Sequence, residues 1–555
     1  MVDPTAPQPA THDVENQAPP LVDFNLYETD RCLVEAVARE GAGWAEERLA
    51  GFGAKAGSAE VIELGHLANR HVPVLKTHDR FGHRIDEVEF HPAWHELMAL
   101  GMAAEIHALP WNDPRPGAHV ARAALAFMLN QVESGVCCPL VMTLASVPAL
   151  RHQPEVAAEW EPRVRATQYD RRPVPAEDKT AATIGMAMTE KQGGSDVRAN
   201  STRAEPIGAG GPGGEYLLTG HKWFCSAPMC DAFLTLAYGP GGLSCFLVPR
   251  RLPDGTRNRL SLQRLKDKLG NRSNASAEIE YDRTWARMVG VEGRGVPTII
   301  EMVHHTRLDV SICSAALMRQ ALAQASHHAA HRSAFQRRLI DQPLMQNVLA
   351  DLAVESEAAT VLVMRLARAF DEGRKDEGQR AFARLANAVT KFWMSKRAPD
   401  FVFEAMECHG GNGYVEESIL PRLYREAPVS SIWEGCGNVI ALDILRAIRR
   451  DPDSLDAYFA ELAPASGADR RLDTAIGEVR DLASRPADLE PRGRRLAERM
   501  ALTLQGALLV RHGDPPIAEA FCRSRLDGDR GATYGTLPAD LPFHDMIDRA
   551  RPRVP

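Results

Sequence analysis

Long apolar runs are missing: no window approaches the roughly 20 uninterrupted apolar residues that a membrane-spanning helix needs, and the segment Met1 to Pro20 is Pro-rich and polar, without the apolar core of a secretion signal. A soluble, cytoplasmic protein without a membrane partner is therefore expected. Paired cysteine motifs are missing as well: ten cysteines are scattered, Cys137 and Cys138 are adjacent, and there is no Cys-x-x-Cys. That spacing indicates neither a zinc cage nor a disulfide framework, and reduced, mostly buried thiols are expected with no metal site. The net charge of −8 argues against indiscriminate polyanion binding. Beyond Arg450 lysine is absent, and 15 Arg against 18 Asp plus Glu leave 15 − 18 = −3, so this segment is not a basic tail.

The 555 residues, 45% of them hydrophobic, can bury a large core, and length alone gives a soft prior of roughly three to four domains. Prolines at positions 4, 7, 9, 19 and 20 deny a helix, so residues 1–24 read as a disordered or loosely docked tail with order beginning near Asn25. From Asp30 to about Arg165 the apolar spacing is helical, broken once at Pro110, Pro114 and Pro116. Between Thr180 and about Val291 short apolar runs such as Phe233 to Leu236 and Cys245 to Val248 are split by Gly, Pro and Asp, the texture of an all-β insert. Long helices return over Thr306 to His331, Gln346 to Glu372 and Arg380 to Cys408.

Two segments carry chemistry. Met188-Thr189-Glu190-Lys191-Gln192-Gly193-Gly194-Ser195-Asp196 leaves an apolar strand, Thr183 to Ala187, as a polar loop. Its Gly-Gly step lets backbone approach a ligand, and Thr189 and Ser195 offer short hydroxyls of the kind that reach a flavin's ring edge or a pyrophosphate; alone, the loop is equally a turn. Near the far end, Trp433-Glu434-Gly435-Cys436-Gly437-Asn438 precedes a helix whose face is marked by Ile440, Ile444 and Ile448, with Asn438 as the expected cap. A carboxylate at Glu434, partly desolvated beside Trp433, would have a raised pKa suited to proton abstraction next to a carbonyl; the bland alternative is helix-dipole work.

With Gly220-His221-Lys222-Trp223-Phe224-Cys225-Ser226, Lys268-Leu269-Gly270-Asn271-Arg272-Ser273-Asn274-Ala275-Ser276, Arg332-Ser333-Ala334-Phe335 and His409-Gly410-Gly411-Asn412-Gly413-Tyr414, these segments resemble the acyl-CoA dehydrogenase family in order and approximate spacing. Glu190 to Asp196, Gly270 to Ser276 and Arg39-Glu40-Gly41-Ala42-Gly43-Trp44 are similar to the narrower AidB branch, the alkylation-response relatives. The likeness runs from about Asn25 to the C-terminal region and is weakest after Arg450. It implies an α+β multidomain fold: an N-terminal helical domain over 25–180, an antiparallel β-barrel over 181–291 for flavin and substrate, a helical bundle over 292–450, and a C-terminal helical extension over 451–555.

The resemblance also implies FAD as cofactor and an acyl-CoA thioester as substrate, the α proton going to a base and the β hydrogen to flavin N5 as hydride. Glu434 matches the family's usual base; the alternative position found in some relatives is here Thr306, before Arg307. Met188, Thr189, Gly194 and Ser195 fall at flavin-binding positions, Phe224 at a ring-stacking one and Ser226 beside N5. Arg332 and Phe335 match residues that reach the adenosine diphosphate end of a neighbouring subunit's FAD, and Glu407, Gly410, Gly411, Trp433, Cys436 and Asn438 match further cofactor contacts, several in changed spelling. An FAD site shared across subunits implies at least a dimer, and the family usually forms a dimer of dimers, a tetramer. Arg307 is the expected substrate contact, and His304 stands where some relatives carry an acid near the CoA chain.

Two readings follow. The first is a FAD-dependent acyl-CoA dehydrogenase-like oxidoreductase. The second is a DNA-associated protective protein of the alkylation response with little dehydrogenase activity, motivated by the branch spellings and by Arg492, Arg494, Arg495 and Arg499, mostly on one helical face; a solvated face paired with acids such as Glu498 is the plainer account of those arginines.

Overall fold

In the computed structural model, residues 13–484 and 489–553 are described. Order begins before Asn25. Residues 13–24 run along the bundle, Leu21 and Phe24 are buried, and Asn16 exchanges hydrogen bonds with Ser333 (Nδ2 to O 2.9 Å; Ser333 N to Oδ1 2.7 Å). Prolines deny that stretch a helix but not an extended, side-chain-anchored path. The rest of the expected tail, residues 1–12, lies outside the described residues.

The N-terminal region is helical, as its spacing predicts, with Asp30 and Ser58 capping Arg31–Val37 and Ala59–Arg70 through their side-chain oxygens. Its centre is Ala118–Val132, buried on every side, followed by Cys137–Leu150. One feature departs from the helical reading: β1 (Val74–His78) and β2 (Arg84–Glu89) form a hairpin. The Asp79 carboxylate accepts from the amides of Phe81 (2.8 Å) and His83 (2.9 Å) and so holds the turn, with Gly82 at φ 86°. Period-two alternation over five or six residues was overridden there by the helical pattern on both sides.

The middle domain is a closed barrel built from β3 (Ile184–Ala187), β4 (Arg203–Pro206), β5 (Glu215–Ser226), β6 (Ala232–Gly239), β7 (Gly242–Pro249), β8 (Leu260–Leu265) and β9 (Ser276–Val289). The order is β3-β6-β4-β5-β9-β7, and pairing of β6 with β7 closes it. Pairings are antiparallel except those of β6 with β3 and β4. Closure removes free sheet edges; Tyr216, Phe233, Phe246 and Tyr281 fill the interior.

Three long helices, Gly295–His331, Pro343–Glu372 and Glu377–Glu407, with the shorter Gly437–Arg450, make the bundle. The extension adds Pro452–Leu462, Arg470–Ala483, Leu489–His512 and Phe543–Ala550. It docks through buried charge. Arg525 pairs with Asp351 and with Glu355 (3.0 Å), and Glu355 is also held by Arg397 (3.2 Å).

Candidate functional site

The Lys268 to Ser276 motif is the joint of the three domains. Asn271 donates its backbone N–H and its amide to Glu426 of the bundle (2.9 and 3.2 Å), and Ser273 Oγ donates to Glu133 of the N-terminal region (2.6 Å). A Cβ at Gly270 would lie 1.9 Å from the Arg425 carbonyl oxygen, and one at Gly135 1.8 Å from Ser273 Oγ, so two glycines are required for the closure.

Glu434 stands at φ 57° in a loop followed by Gly435 at φ 104°. The helix after it begins at Gly437, and its N-cap is Cys436, which offers no side-chain hydrogen bond. Asn438, the expected cap, lies in the first turn and instead accepts from Arg494 (3.4 Å). The loop is fixed through its backbone: Arg307 Nε donates to the Glu434 carbonyl (3.0 Å), and Lys391 Nζ donates to the Gly435 carbonyl. Arg307 in turn meets Asp443 (2.7 Å), which Arg384 also holds (2.9 Å). The guanidinium expected at the substrate is thus committed to the Glu434 loop.

The Glu434 carboxyl is left unspent: Oε2 is sealed from solvent and has no partner. Burial raises its pKa above the usual carboxylate range, against the Thr306 hydroxyl and the charges of Arg307 and Lys391, which pull it down. Burial also lowers the Lys391 ammonium to about 7. A carboxylate that is desolvated, without an ion pair of its own and unpartnered at one oxygen is equipped to take a proton.

Cys138, at the start of Cys137–Leu150, has its thiol pushed up to about 11, first by burial, and lies within the field of Lys268 and Glu434. Ser226 Oγ lies 3.5 Å from Ser276 Oγ, and Lys268 Nζ donates to the Asn274 carbonyl (2.6 Å) and Ser276 Oγ (3.0 Å). The Cys138 thiol thus feels the charge of both the barrel motif, through Lys268, and the bundle motif, through Glu434.

The loop of Met188 to Asp196 turns back through Glu190 and Gly193 (N to O 3.0 Å) and is tied to β5 by Trp223 N donating to Thr189 O (2.8 Å). Met188 O accepts from Asn200 Nδ2 (3.1 Å). Glu190 is the anchor. It receives Lys222 Nζ (2.9 Å), Thr202 Oγ1 (2.6 Å) and the Ser201 amide (2.6 Å), and both members of the Glu190–Lys222 pair are 0% exposed. Burial alone would raise the Glu190 pKa, but Lys222 and these donors hold it well below the usual range. Gly194 is forced by packing, since a Cβ there would lie 2.4 Å from Thr189 Oγ1. Ser195 is exposed.

The residues present fit a flavin. Phe224 is 54% exposed on β5 beside the loop, and a Cβ at Gly193, Gly410 or Gly411 would meet only open space, as backbone facing a large ligand requires. Trp433 Nε1, next to Glu434, is buried without a partner.

A second group sits elsewhere. Arg332 ends the helix that carries Thr306 and Arg307, and 26 residues of helix correspond to ~39 Å. Arg332 donates to the Asn16 carbonyl. Phe335, at φ 51° on a hairpin tip, is 93% exposed. Glu407, Gly410 and Gly411 lie exposed where Glu377–Glu407 ends, while Cys436 and Asn438 are exposed beside the Glu434 loop. His304 takes no part in an ion pair: it stacks on Phe370 (centroids 4.6 Å apart) and accepts or shares a hydrogen bond with Asn387 (3.2 Å), and burial lowers it to about 3.

Family models match in this same order. The N-terminal domain of the adaptive response protein AidB matches 16–171, the acyl-CoA dehydrogenase middle domain 185–284 and its C-terminal domain 293–449. The chain is 46% identical to AidB of Escherichia coli (strain K12) over 93% of its length and 95% of that protein. The chain belongs to the acyl-CoA dehydrogenase family. Acyl-CoA dehydrogenase family member 11 of Caenorhabditis elegans is 30% identical over 82% of the chain and 78% of that protein. The crystal structure of C. elegans ACDH-11 in complex with C11-CoA superposes with a TM-score of 0.85 at 28% identity, covering 93% of this chain and 94% of that one. FAD is the cofactor of this acyl-CoA dehydrogenase family, consistent with the open glycines and the exposed Phe224.

Sequence reasoning missed Lys222, Cys138, Lys391 and Asp443. Only Lys222 had a local signal, a charged residue within an apolar strand. The arginines read as lying mostly on one helical face all fall on Leu489–His512; Arg499 pairs with Glu478, and Arg494 reaches Asn438 and lies over Phe392 (5.9 Å). No helix among the described residues is long and apolar enough to cross a membrane.

Proposed function

We propose that the chain oxidises an acyl-CoA thioester, with Glu434 as the base that removes the α proton. The observation that carries this is the Glu434 carboxyl: one oxygen sealed from solvent and without a hydrogen-bond partner, and a pKa raised by burial. In the ionised form Glu434 accepts the proton, while Arg307 holds its carbonyl and Lys391 that of Gly435, so that the carboxyl keeps its place without being neutralised by a direct ion pair. Met188, Thr189, Gly194, Ser195, Phe224 and Ser226 would hold the flavin ring and its near phosphates. FAD, when bound there, supplies the acceptor for the β hydrogen as hydride. An acyl-CoA thioester is the substrate class favoured by the likeness to the C11-CoA complex.

The adenosine end of the cofactor would be completed by Arg332, Phe335, Glu407, Gly410 and Gly411 of a second copy, because these lie too far along the bundle to serve their own chain's Glu434 site, and Phe335 has no covering of its own. A dimer of dimers satisfies every such site. Anaerobic addition of acyl-CoA thioesters of graded chain length to the yellow protein tests the proposal. Rapid bleaching of the flavin by one member supports it, and silence across the panel with FAD bound overturns it.

A further inference from the structure

A cavity of about 220 Å³ lies between the Pro92–Ala103 helix, the segment 169–179 and the β6 and β7 ends of the barrel, and none of the residues assigned above lines it. Its floor is aromatic. Phe90 stacks on Trp94 with centroids 4.0 Å apart, and Trp160 is buried beside them. The Trp94 indole N–H donates to nothing.

The charges around it do not balance. Five cations line the cavity (Arg171, Arg172, Lys179, Arg250, Arg251) against three acids (Glu87, Asp170, Asp231), a surplus of 5 − 3 = +2. Asp170 is taken by Arg172 (2.7 Å) and Asp231 by Lys179 (2.7 Å). Arg250 reaches only carbonyl oxygens, of Met229 (3.3 Å) and Asp86 (2.8 Å), while the Asp86 carboxylate is claimed by Arg84 and Arg257. Among the described residues, Arg250, Arg171 and Arg251 have no carboxylate partner. Arg250 feels Asp231 only at a distance and makes no ion pair with it, so its fork stays open to a planar carboxylate, the group that a guanidinium recognises by two parallel hydrogen bonds.

We propose that this cavity binds a small aromatic carboxylate, its ring on Phe90 and Trp94 and its anion among Arg171, Arg250 and Arg251. Size sets the class: a dry cavity of ~150 Å³ already takes benzene, so the volume here accommodates one ring with a short acid, and it is below the roughly 300 Å³ at which pockets begin to hold drug-sized ligands. The site bridges the N-terminal region and the barrel, and its occupant would tie the two together.

The test is calorimetric titration of the full-length protein with phenylacetate, 2-phenylethanol and acetate. One phenylacetate per chain is expected, with the neutral alcohol and the ringless acid each at least about tenfold weaker. Arg250→Gln and Ala176→Trp, which fills the cavity, should abolish or weaken binding about tenfold or more. Arg171→Glu lies on an exposed segment, leaves the core intact, and should do the same. Failure of phenylacetate to bind at millimolar concentration, equal binding of the alcohol, or unchanged binding by Arg171→Glu would overturn the proposal. The readout is independent of flavin reduction, so it stands or falls separately from the acyl-CoA reading.

Discussion

The guanidinium of Arg307 holds Glu434 by its carbonyl oxygen, at 3.0 Å, and not by its carboxylate. The proposed base is therefore positioned by its own backbone, and its side chain makes no ion pair that would keep it from exchanging a proton. Arg307→Met should leave FAD bound but let the loop shift, and a displacement of about 1 Å is enough to cost on the order of 10²-fold in turnover. Single-turnover bleaching, with flavin content measured alongside, would show the loss in the rate and not in the cofactor.

Glu434→Gln keeps the shape and removes the base. Flavin reduction and exchange of the substrate α proton with deuterated water should both fall by about 10²–10⁴-fold. Retention of either at the parent rate would refute the assignment.

Burial raises the Glu434 pKa, and the base acts only when ionised, so activity should rise with pH through an inflection above the usual carboxylate range. Lys391 lowers that pKa by its charge. Lys391→Met should therefore move the acid limb to higher pH, the opposite of what loss of a merely structural lysine would do. A pH profile of the reductive step in both proteins measures the shift.

The buried Glu190–Lys222 pair anchors the flavin loop. Removing one partner leaves an uncompensated buried charge, so Lys222→Met should destabilise the barrel by about 3–5 kcal/mol, visible in thermal melting and in weakened FAD retention. Because Lys222 and the neighbouring donors hold the folded Glu190 pKa below the usual carboxylate range, the pair's stabilisation is complete above that range and fades as pH falls through the folded pKa. Acid should thus narrow the difference between the parent and Lys222→Met.

Gly194→Ala tests packing without charge. The added methyl would sit 2.4 Å from Thr189 Oγ1, a clash of the kind that costs about 1–3 kcal/mol. It should appear as weaker FAD binding with the rest of the fold intact, read by flavin titration.

The helices and strands were legible wherever apolar spacing was long and uninterrupted: the bundle helix expected from Thr306 begins at Gly295, and Pro343–Glu372 begins three residues before the expected Gln346. The β1–β2 hairpin was not, because five or six alternating residues between two helices carry less signal than their flanks. Among site residues, Glu434 and the Met188 to Asp196 loop stood out through their glycines. Lys391, Cys138 and Asp443 did not, because each acts through a partner distant in the chain, and nothing in a sequence marks such a pairing. Asn438 is the commoner capping residue type, yet the helix starts two residues earlier than that cap predicts, with Cys436 in the capping place.

Asp351 and Glu355 lie in the middle of Pro343–Glu372, yet the guanidinium they share is that of Arg525. On a ribosome, that helix emerges some 170 residues before its countercharge. Arg397 reaches Glu355 sooner, but Asp351 must wait in water until residue 525 has been made, so the bundle completes its packing only after the extension has emerged.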